Sequence, residues 1–181
     1  MTVLGEGKFL QLVNEHNWEY VRRKTVGVVA VFPLFKKKDG KMYVRLVSQF
    51  RPPVQAEVTS TVAGLVDNGE NLLNAAKREL YEEAGLTSNQ FQYLGCFPSS
   101  SGLTDEAVDL FLAFDCKETQ DLDWVPDKEE GIRIEDYTLE EFNQFLQTKP
   151  GLVDAKLYIA AFYYPIYLKL REEEIEKAKI Y

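Results

Sequence analysis

The chain has 181 residues, enough to bury a hydrophobic core within one domain. Its content of 45% hydrophobic and 13% aromatic residues excludes a disordered protein, and no apolar run reaches the ~20 residues that span a bilayer. The net charge of −8 argues against nucleic acid as a partner, because such binding depends on neutralising phosphates. The N-terminus has no secretory h-region, so we expect a cytoplasmic protein without a membrane partner.

The first predicted elements form a β-hairpin. Val26–Phe35 and Met42–Gln49 are apolar or partly alternating, and Asp39-Gly40 between them is a strong turn signal. Residues 51–53, Arg-Pro-Pro, should then interrupt the sheet, because proline cannot donate a ladder hydrogen bond. A short strand is predicted at Val58–Ala63.

The next predicted element is a helix over Leu72–Ala84 that ends at Gly85, a residue favoured just after a helix. At about 100° per residue, one stripe of this helix is apolar and should face the core. The stripe consists of Leu73, Ala76, Leu80 and Ala84.

Strands and helices continue to mix after this helix. Phe91–Phe97 and Val108–Phe114 are predicted to be strands that flank a loop at Pro98–Glu106, and a weaker strand is predicted near Ile132–Ile134. There is no regular βαβ alternation and no repeat or linker. The sequence therefore predicts one α/β (α+β) domain, with helices packed on the faces of a mixed sheet.

Two helices are predicted at the C-terminal end, a short one at Leu139–Leu146 and a long one at Asp154–Lys179, interrupted at Pro165. Aromatic residues recur along the long helix at helical spacing. They would suit a stacking platform, but we interpret them as core or interface residues.

Cysteine and histidine are scarce. Cys96 and Cys116 lie in strand-like segments and are interpreted as small buried residues in a reducing compartment. The single histidine, His16, is expected at the surface, and it leaves no usual Ser-His-Asp triad or histidine-rich metal site.

Three carboxylates are predicted on one face of the Leu72–Ala84 helix. Glu79, Glu82 and Glu83 are spaced i, i+3 and i+4, where like charges destabilise a helix by roughly 0.2–0.5 kcal/mol per pair. Arg78, the nearest base, is expected to point elsewhere. A divalent cation such as Mg²⁺ or Mn²⁺ would relieve the repulsion, since both prefer oxygen ligands. Spacing alone equally allows a solvated acidic surface.

A longer pattern surrounds these glutamates. From Gly64 to Leu86 the chain has Gly, five residues, Glu70, seven residues, Arg-Glu, an apolar and a free position, Glu-Glu, a free position, Gly and an apolar residue. This pattern resembles the Nudix box at every specified position, and a chance match in this chain is on the order of 10⁻⁷. The resemblance implies a Nudix-type α/β/α sandwich formed by residues 1–181.

Other segments resemble the ADP-ribose (ADP-sugar) pyrophosphatase branch of that family. The similar segments are residues 18–23, 49–53, 63–64, 98–106 and 153–156. Two positions depart from the branch. Ser60 stands where a glutamate is usual, and Ser101 where a second proline is common.

The resemblance implies metal-dependent hydrolysis of the pyrophosphate bond of a nucleoside diphosphate sugar, with ADP-ribose as the first candidate substrate and Mg²⁺ or Mn²⁺ as the cofactor. The alternatives are a Nudix hydrolase of GDP-mannose, a dinucleoside polyphosphate or 5′-triphosphate RNA. A further alternative is a nucleotide-sensing module without turnover. Such a module would tolerate loss of the metal glutamates, whereas all of them are present here.

The resemblance also implies roles near the metal. Glu79 and Glu83 would be metal ligands together with the backbone carbonyl of Ala63, and Glu82 a ligand or a partner of one. The general base would come from a later loop, where Glu130 is preferred and Glu129 is the alternative. Glu70 and Arg78 are expected to form an ion pair that holds the loop before the helix.

Substrate contacts follow from the same resemblance. Trp18 would stack on the base, although a core position is the alternative, and Gly102 and Leu103 would line the substrate site. Arg23 and Arg51 are candidates for the phosphates, or else surface ion-pair partners. A homodimer that pairs through the N-terminal segment, residues 1–24, and the sheet is expected.

Overall fold

A computed structural model describes residues 1–126, 131–148 and 151–178 of the chain. Its helices are α1 (Leu72–Ala84), α2 (Leu139–Thr148) and α3 (Ala155–Ala178). The first strands form a small antiparallel sheet of β1 (Thr2–Glu6), β2 (Leu10–Glu15) and β3 (Trp18–Arg23).

The other strands of the described residues form one larger sheet. They are β4 (Val28–Lys36), β5 (Met42–Arg51), β6 (Ala56–Ser60), β7 (Val62–Leu65), β8 (Leu86–Thr87), β9 (Gln90–Pro98), β10 (Ala107–Glu118), β11 (Arg133–Thr138) and β12 (Leu152–Val153). β10 runs parallel to β4 and β12 parallel to β6, whereas the remaining pairs are antiparallel. The sheet is therefore mixed.

The core lies on both faces of β4, which pairs with β5, β7 and β10. Because side chains alternate along a strand, Val29 and Val31 pack with α1 on one face, while Ala30 and Phe32 pack with α2 and α3 on the other. Helices on both faces of a mixed sheet confirm the predicted α/β/α sandwich.

The hairpin and the first helix have the predicted forms. In the hairpin of β4 and β5, Leu34 lies opposite Val44, and Gly40 takes a positive φ of 79° in the turn. Helix α1 begins where the Asn71 side chain accepts a hydrogen bond from the Asn74 backbone (2.9 Å), and it ends at Gly85 with φ 61°. Its bounds equal the predicted ones.

The strand predicted at Val58–Ala63 is two strands. β6 pairs with β5 and β12, whereas β7 pairs with β4. The chain therefore changes its neighbouring strands at Thr61. The Thr61 hydroxyl donates to the Val31 carbonyl there. The strands β1–β3 were not predicted, because most of their side chains are partly or fully exposed and show no clear apolar alternation.

Three further expectations were wrong. α3 runs through Pro165 without interruption. Ala160 and Tyr164, which precede the proline, are buried in the core, and Tyr167, which follows it, packs against the same core, so the helix is held on both sides of the proline. Leu73 is 40% exposed because the buried stripe of α1 begins only at Ala75. Cys96 is exposed on β9, a strand that pairs with β10. Cys116 is buried, as expected.

His16 lies in an exposed turn between β2 and β3, as expected for a surface residue. Among the described ranges, no helix is long and apolar enough to cross a membrane.

Candidate active site

Helix α1 lies directly against β7 at Gly64. A Cβ atom added to Gly64 would lie only 2.0 Å from the carboxyl carbon of Glu79 and 2.2 Å from both of its oxygens. Only glycine therefore allows this carboxylate to lie against the strand backbone. The glycine that opens the sequence pattern thus has a steric role at the glutamate helix.

The two principal candidate ligands are buried side by side on α1. Glu79 is 8% exposed and Glu83 is 7% exposed, although ionised carboxylates are rarely buried without partners. Glu83 Oε2 accepts a hydrogen bond from the Ala63 backbone N–H at 2.9 Å, which orients this carboxylate toward β7. Glu82, one turn from Arg78, is exposed. The solvated acidic surface is thus excluded for Glu79 and Glu83.

Arg78 does not point away from these glutamates, contrary to expectation. Its Nη1 donates to Glu79 at 2.6 Å and to Glu82 at 3.0 Å. Its Nη2 donates to Glu70 at 3.0 Å and to the Leu65 carbonyl at 2.7 Å, so the predicted Glu70–Arg78 ion pair is confirmed. These hydrogen bonds lower the pKa of Glu70 and raise that of Arg78.

The donor set suits a hard divalent cation. Among the described residues no three acidic, histidine or cysteine side chains are already arranged as a metal site. Arg78 Nη1 donates to both Glu79 and Glu82. Because this one nitrogen contacts the carboxylates of Glu79 and Glu82, the positive charge of Arg78 lies between them. The Arg78 guanidinium forms ion pairs with four carboxylates, and Glu83 adds a fifth nearby. Oxygen ligands in negative excess are what Mg²⁺ and Mn²⁺ prefer, so the residues fit such an ion.

These groups line an open cavity of about 910 Å³, at the upper end of the usual size of ligand sites. Its acidic wall residues are Asp67, Glu79, Glu82, Glu83, Glu106 and Asp154. Its basic wall residues are Arg23, Arg51, Arg78 and Lys156. Six acids against four bases leave the wall with an excess of negative charge, so a phosphate-bearing ligand would be repelled unless a cation accompanied it.

Both candidate phosphate-binding arginines lie on this wall. Arg23 also forms the predicted alternative, an ion pair, with its Nε 2.5 Å from Glu106 Oε2. Arg51 is exposed where β5 ends, directly before the turn at Pro52–Val54. The structure thus brings Ala63, the two arginines and the α1 glutamates around one cavity.

A second group of candidate substrate-binding residues consists of Trp18, Gly102 and Leu103. None of these three residues lines the cavity. Trp18 is 61% exposed, which excludes the core alternative, and its Nε1 donates to the Gly102 carbonyl at 3.2 Å. The Leu103 carbonyl accepts from the Val21 backbone at 2.8 Å. The loop before β10 is thus docked on β3, and the Trp18 indole at the start of β3 is exposed to solvent.

Glu130 and Glu129, the candidate bases, lie outside the described residues. Lys156 and Glu106 on the cavity wall were not singled out, because an isolated charge in a loop or at a helix start has no distinguishing pattern. Each lies in a segment that resembles the pyrophosphatase branch, residues 153–156 and 98–106, and that was the only available signal.

The C-terminal end of α1 is held by distant residues. Its last turn contains no basic side chain, but Arg45 Nη1 from β5 donates to the Ala84 carbonyl at 2.7 Å. Trp124 covers Gly85 and donates to the Tyr81 carbonyl at 3.0 Å. Burial raises the pKa of Asp136, but hydrogen bonds from Arg45 outweigh this and hold that pKa below its usual value. This network fixes the glutamate helix relative to the sheet.

Comparisons with known proteins agree with this geometry. The sequence model of the NUDIX domain matches residues 22–160. The chain is 31% identical to an "ADP-ribose pyrophosphatase" of Bacillus subtilis (strain 168), over 82% of this chain and 75% of that protein. It is 29% identical to a "Methanol dehydrogenase activator" of Bacillus methanolicus, over 76% and 71%. A solved structure described as "Crystal structure of ADP compounds hydrolase" has a similar fold, with a TM-score of 0.70, 19% identity and coverage of 93% and 91%.

Proposed function

The chain belongs to the Nudix family of hydrolases, and we propose that it cleaves the pyrophosphate bond of a nucleoside diphosphate sugar, first of all ADP-ribose. The products would be a nucleoside monophosphate and a sugar phosphate. The observation that carries this proposal is the buried Glu79–Glu83 pair beside a large cavity that also holds Arg23 and Arg51.

Members of this family generally use a divalent metal ion, and we propose Mg²⁺, with Mn²⁺ as a substitute. The ion would be held by Glu79, Glu83 and the Ala63 carbonyl, with Glu82 as a further ligand or as a partner of one. A bound ion neutralises pyrophosphate charge and lowers the pKa of water. The negative excess on the cavity wall supports this assignment, because arginines alone do not offset it.

The side chains of the cavity would then bind and orient the substrate. Arg51 and Arg23 present guanidinium groups, which bind phosphate oxygens in a bidentate manner. Glu106 holds Arg23 in place until a phosphate competes for it. Glu130, or else Glu129, would remove the proton from the attacking water, a role that remains a proposal from the resemblance.

A substrate panel tests the proposal. The protein with Mg²⁺ is incubated with ADP-ribose, other nucleoside diphosphate sugars, diadenosine polyphosphates and nucleoside triphosphates, and the products are separated chromatographically. We expect AMP and ribose 5-phosphate from ADP-ribose at the highest kcat/KM. Preference for a dinucleoside polyphosphate or a triphosphate would contradict the assignment to nucleotide sugars.

Trp18 is proposed to stack on the substrate base. Its exposed indole supports this role, and stacking on a base is worth ~1–3 kcal/mol by alanine substitution. Trp18→Ala should therefore raise KM for ADP-ribose about tenfold, with a much smaller change in kcat, because stacking is similar in ground and transition states.

The matched control is Trp18→Phe, which keeps an aromatic face and should recover most of the affinity. Steady-state kinetics and thermal melting are measured for both variants. An unchanged KM in Trp18→Ala would remove the stacking role, and a large loss of thermal stability would assign the side chain a structural one.

We also propose a homodimer that pairs through β1–β3, the N-terminal segment of residues 1–24. Several apolar side chains of this segment are exposed, among them Val3, Leu4, Phe9 and Leu12, and exposed apolar surface often marks an interface. Light scattering at micromolar protein should give about twice the 20.8 kDa of one chain.

Phe9→Glu should shift that particle toward the monomer mass, because it places a charge in the apolar surface. Leu122→Glu is the matched control, since Leu122 is 98% exposed outside this sheet. A particle of one chain's mass in the unmodified protein would contradict the dimer.

We also propose a single domain, a cytoplasmic location and no nucleic-acid partner. Residues 1–181 would form one domain, with hydrogen bonds from β3 to the loop before β10 joining the small sheet to the larger one. A reducing compartment, the cytoplasm, suits the two free cysteines. The proposed partner is the nucleotide-sugar substrate, and the net charge of −8 argues against nucleic acid as a partner.

A further inference from the structure

A small side pocket adjoins the main cavity behind the glutamate helix. It has a volume of about 20 Å³ and shares Arg51, Ala63, Glu83 and Asp154 with the wall of the larger cavity. One water molecule needs roughly 10–15 Å³ of such volume and two to four polar partners. The pocket can therefore hold a water molecule and is too small for a sugar ring.

Ser60 lines this side pocket with a hydroxyl whose hydrogen-bonding capacity is unused. The residue is 8% exposed, and its Oγ has no hydrogen-bond partner among the described residues. Neighbouring buried hydroxyls are paired, for example Ser48 Oγ with Thr59 Oγ1 at 2.9 Å. Buried polar groups almost always have a partner, so this hydroxyl indicates a ligand in the pocket.

Glu83 borders the same pocket from the opposite element, α1. Its Oε2 accepts from the Ala63 backbone, and an ionised carboxylate has about four acceptor sites, so it can accept from several donors at once. A water bound between them can accept from or donate to the Ser60 hydroxyl while donating to the Glu83 carboxylate. Gln49 also lines the pocket and supplies another polar neighbour.

We propose that the side pocket binds one ordered water, held by the Ser60 hydroxyl, and that this water orients the Glu83 carboxylate for metal binding. Ser60 is thus a positioning residue, and the inference rests on the proposed metal site at Glu79 and Glu83. The serine stands where the resembling branch usually has a glutamate, and the shorter side chain leaves the volume that the water takes.

The test compares Ser60→Ala with Ser48→Ala, a matched removal of a buried hydroxyl that is paired to Thr59 and does not line the pocket. Mn²⁺ binding to the full chain is measured by electron paramagnetic resonance without substrate. Residues that orient metal ligands typically contribute ~10–100-fold to metal affinity, so Ser60→Ala should bind Mn²⁺ about tenfold more weakly. Ser48→Ala should bind it as the unmodified protein does.

Thermal melting without metal gives an independent readout. Loss of a hydroxyl that holds a water should lower the melting temperature by about 2–4 °C, whereas loss of an unsatisfied buried hydroxyl should raise it. A raised melting temperature, or unchanged Mn²⁺ affinity in Ser60→Ala, would overturn the role of Ser60 and leave the proposed function intact. Failure of the unmodified protein to bind Mn²⁺ would overturn the proposed function, and this inference with it.

Discussion

Glu83→Gln is expected to lower kcat by at least ~10²-fold, roughly 2.7 kcal/mol in the activation barrier. The amide keeps the size of the side chain, and its oxygen can still accept the hydrogen bond that Ala63 N–H donates at 2.9 Å. The substitution therefore removes the negative charge that the metal requires while leaving the contact between α1 and β7. Steady-state kinetics at saturating Mg²⁺ measure the loss, and the melting temperature should change little.

The matched control is Glu140→Gln, the same substitution at an exposed position on α2. It should leave both kcat and the melting temperature near those of the unmodified protein. A decrease of less than about threefold for Glu83→Gln at saturating metal would show that Glu83 is not a principal ligand.

Gly64→Ala is expected to have an effect of similar size through a different cause. The new Cβ would lie 2.0 Å from the carboxyl carbon of Glu79, so either this side chain or the whole of α1 must shift. Displacement of a reacting group by about 1 Å can cost ~10²-fold in rate. We therefore expect kcat to fall by at least ~10²-fold and Mn²⁺ binding to weaken, since Glu79 is a proposed ligand.

Gly5→Ala is the control, because a Cβ at Gly5 in β1 would meet nothing within 4 Å. Circular dichroism separates displacement from unfolding. If Gly64→Ala remains folded and active within about threefold of the unmodified protein, Glu79 does not need the position it has against the strand.

The glutamate helix could be predicted to its last residue because local signals define it. Asn71 caps one end, Gly85 takes a left-handed conformation at the other, and Ala76, Leu80 and Ala84 lie on the buried face. The direction of Arg78 could not be predicted, since a helical wheel gives the direction of Cβ only. The long Arg78 side chain turns back and reaches Glu79 and Glu82.

Neither the N-terminal sheet nor the side pocket could be predicted from the sequence, for physical reasons. Strands β1–β3 expose most of their side chains, so they lack the alternation of buried and exposed residues that identifies a strand. The pocket at Ser60 depends on the relative position of β6 and α1, which no local pattern encodes. The exposure of Trp18 removes the core alternative, and the polar residues before it in the sequence were the available signal.

The central claim is that the Glu79 and Glu83 carboxylates act by holding a divalent metal ion. Its most direct test is ADP-ribose hydrolysis by the full chain, assayed chromatographically in excess EDTA and again after Mg²⁺ or Mn²⁺ is returned. We predict that EDTA abolishes the formation of AMP and ribose 5-phosphate, and that either ion restores it, because the cavity wall by itself carries more acidic than basic groups. Undiminished hydrolysis in excess EDTA would contradict the claim.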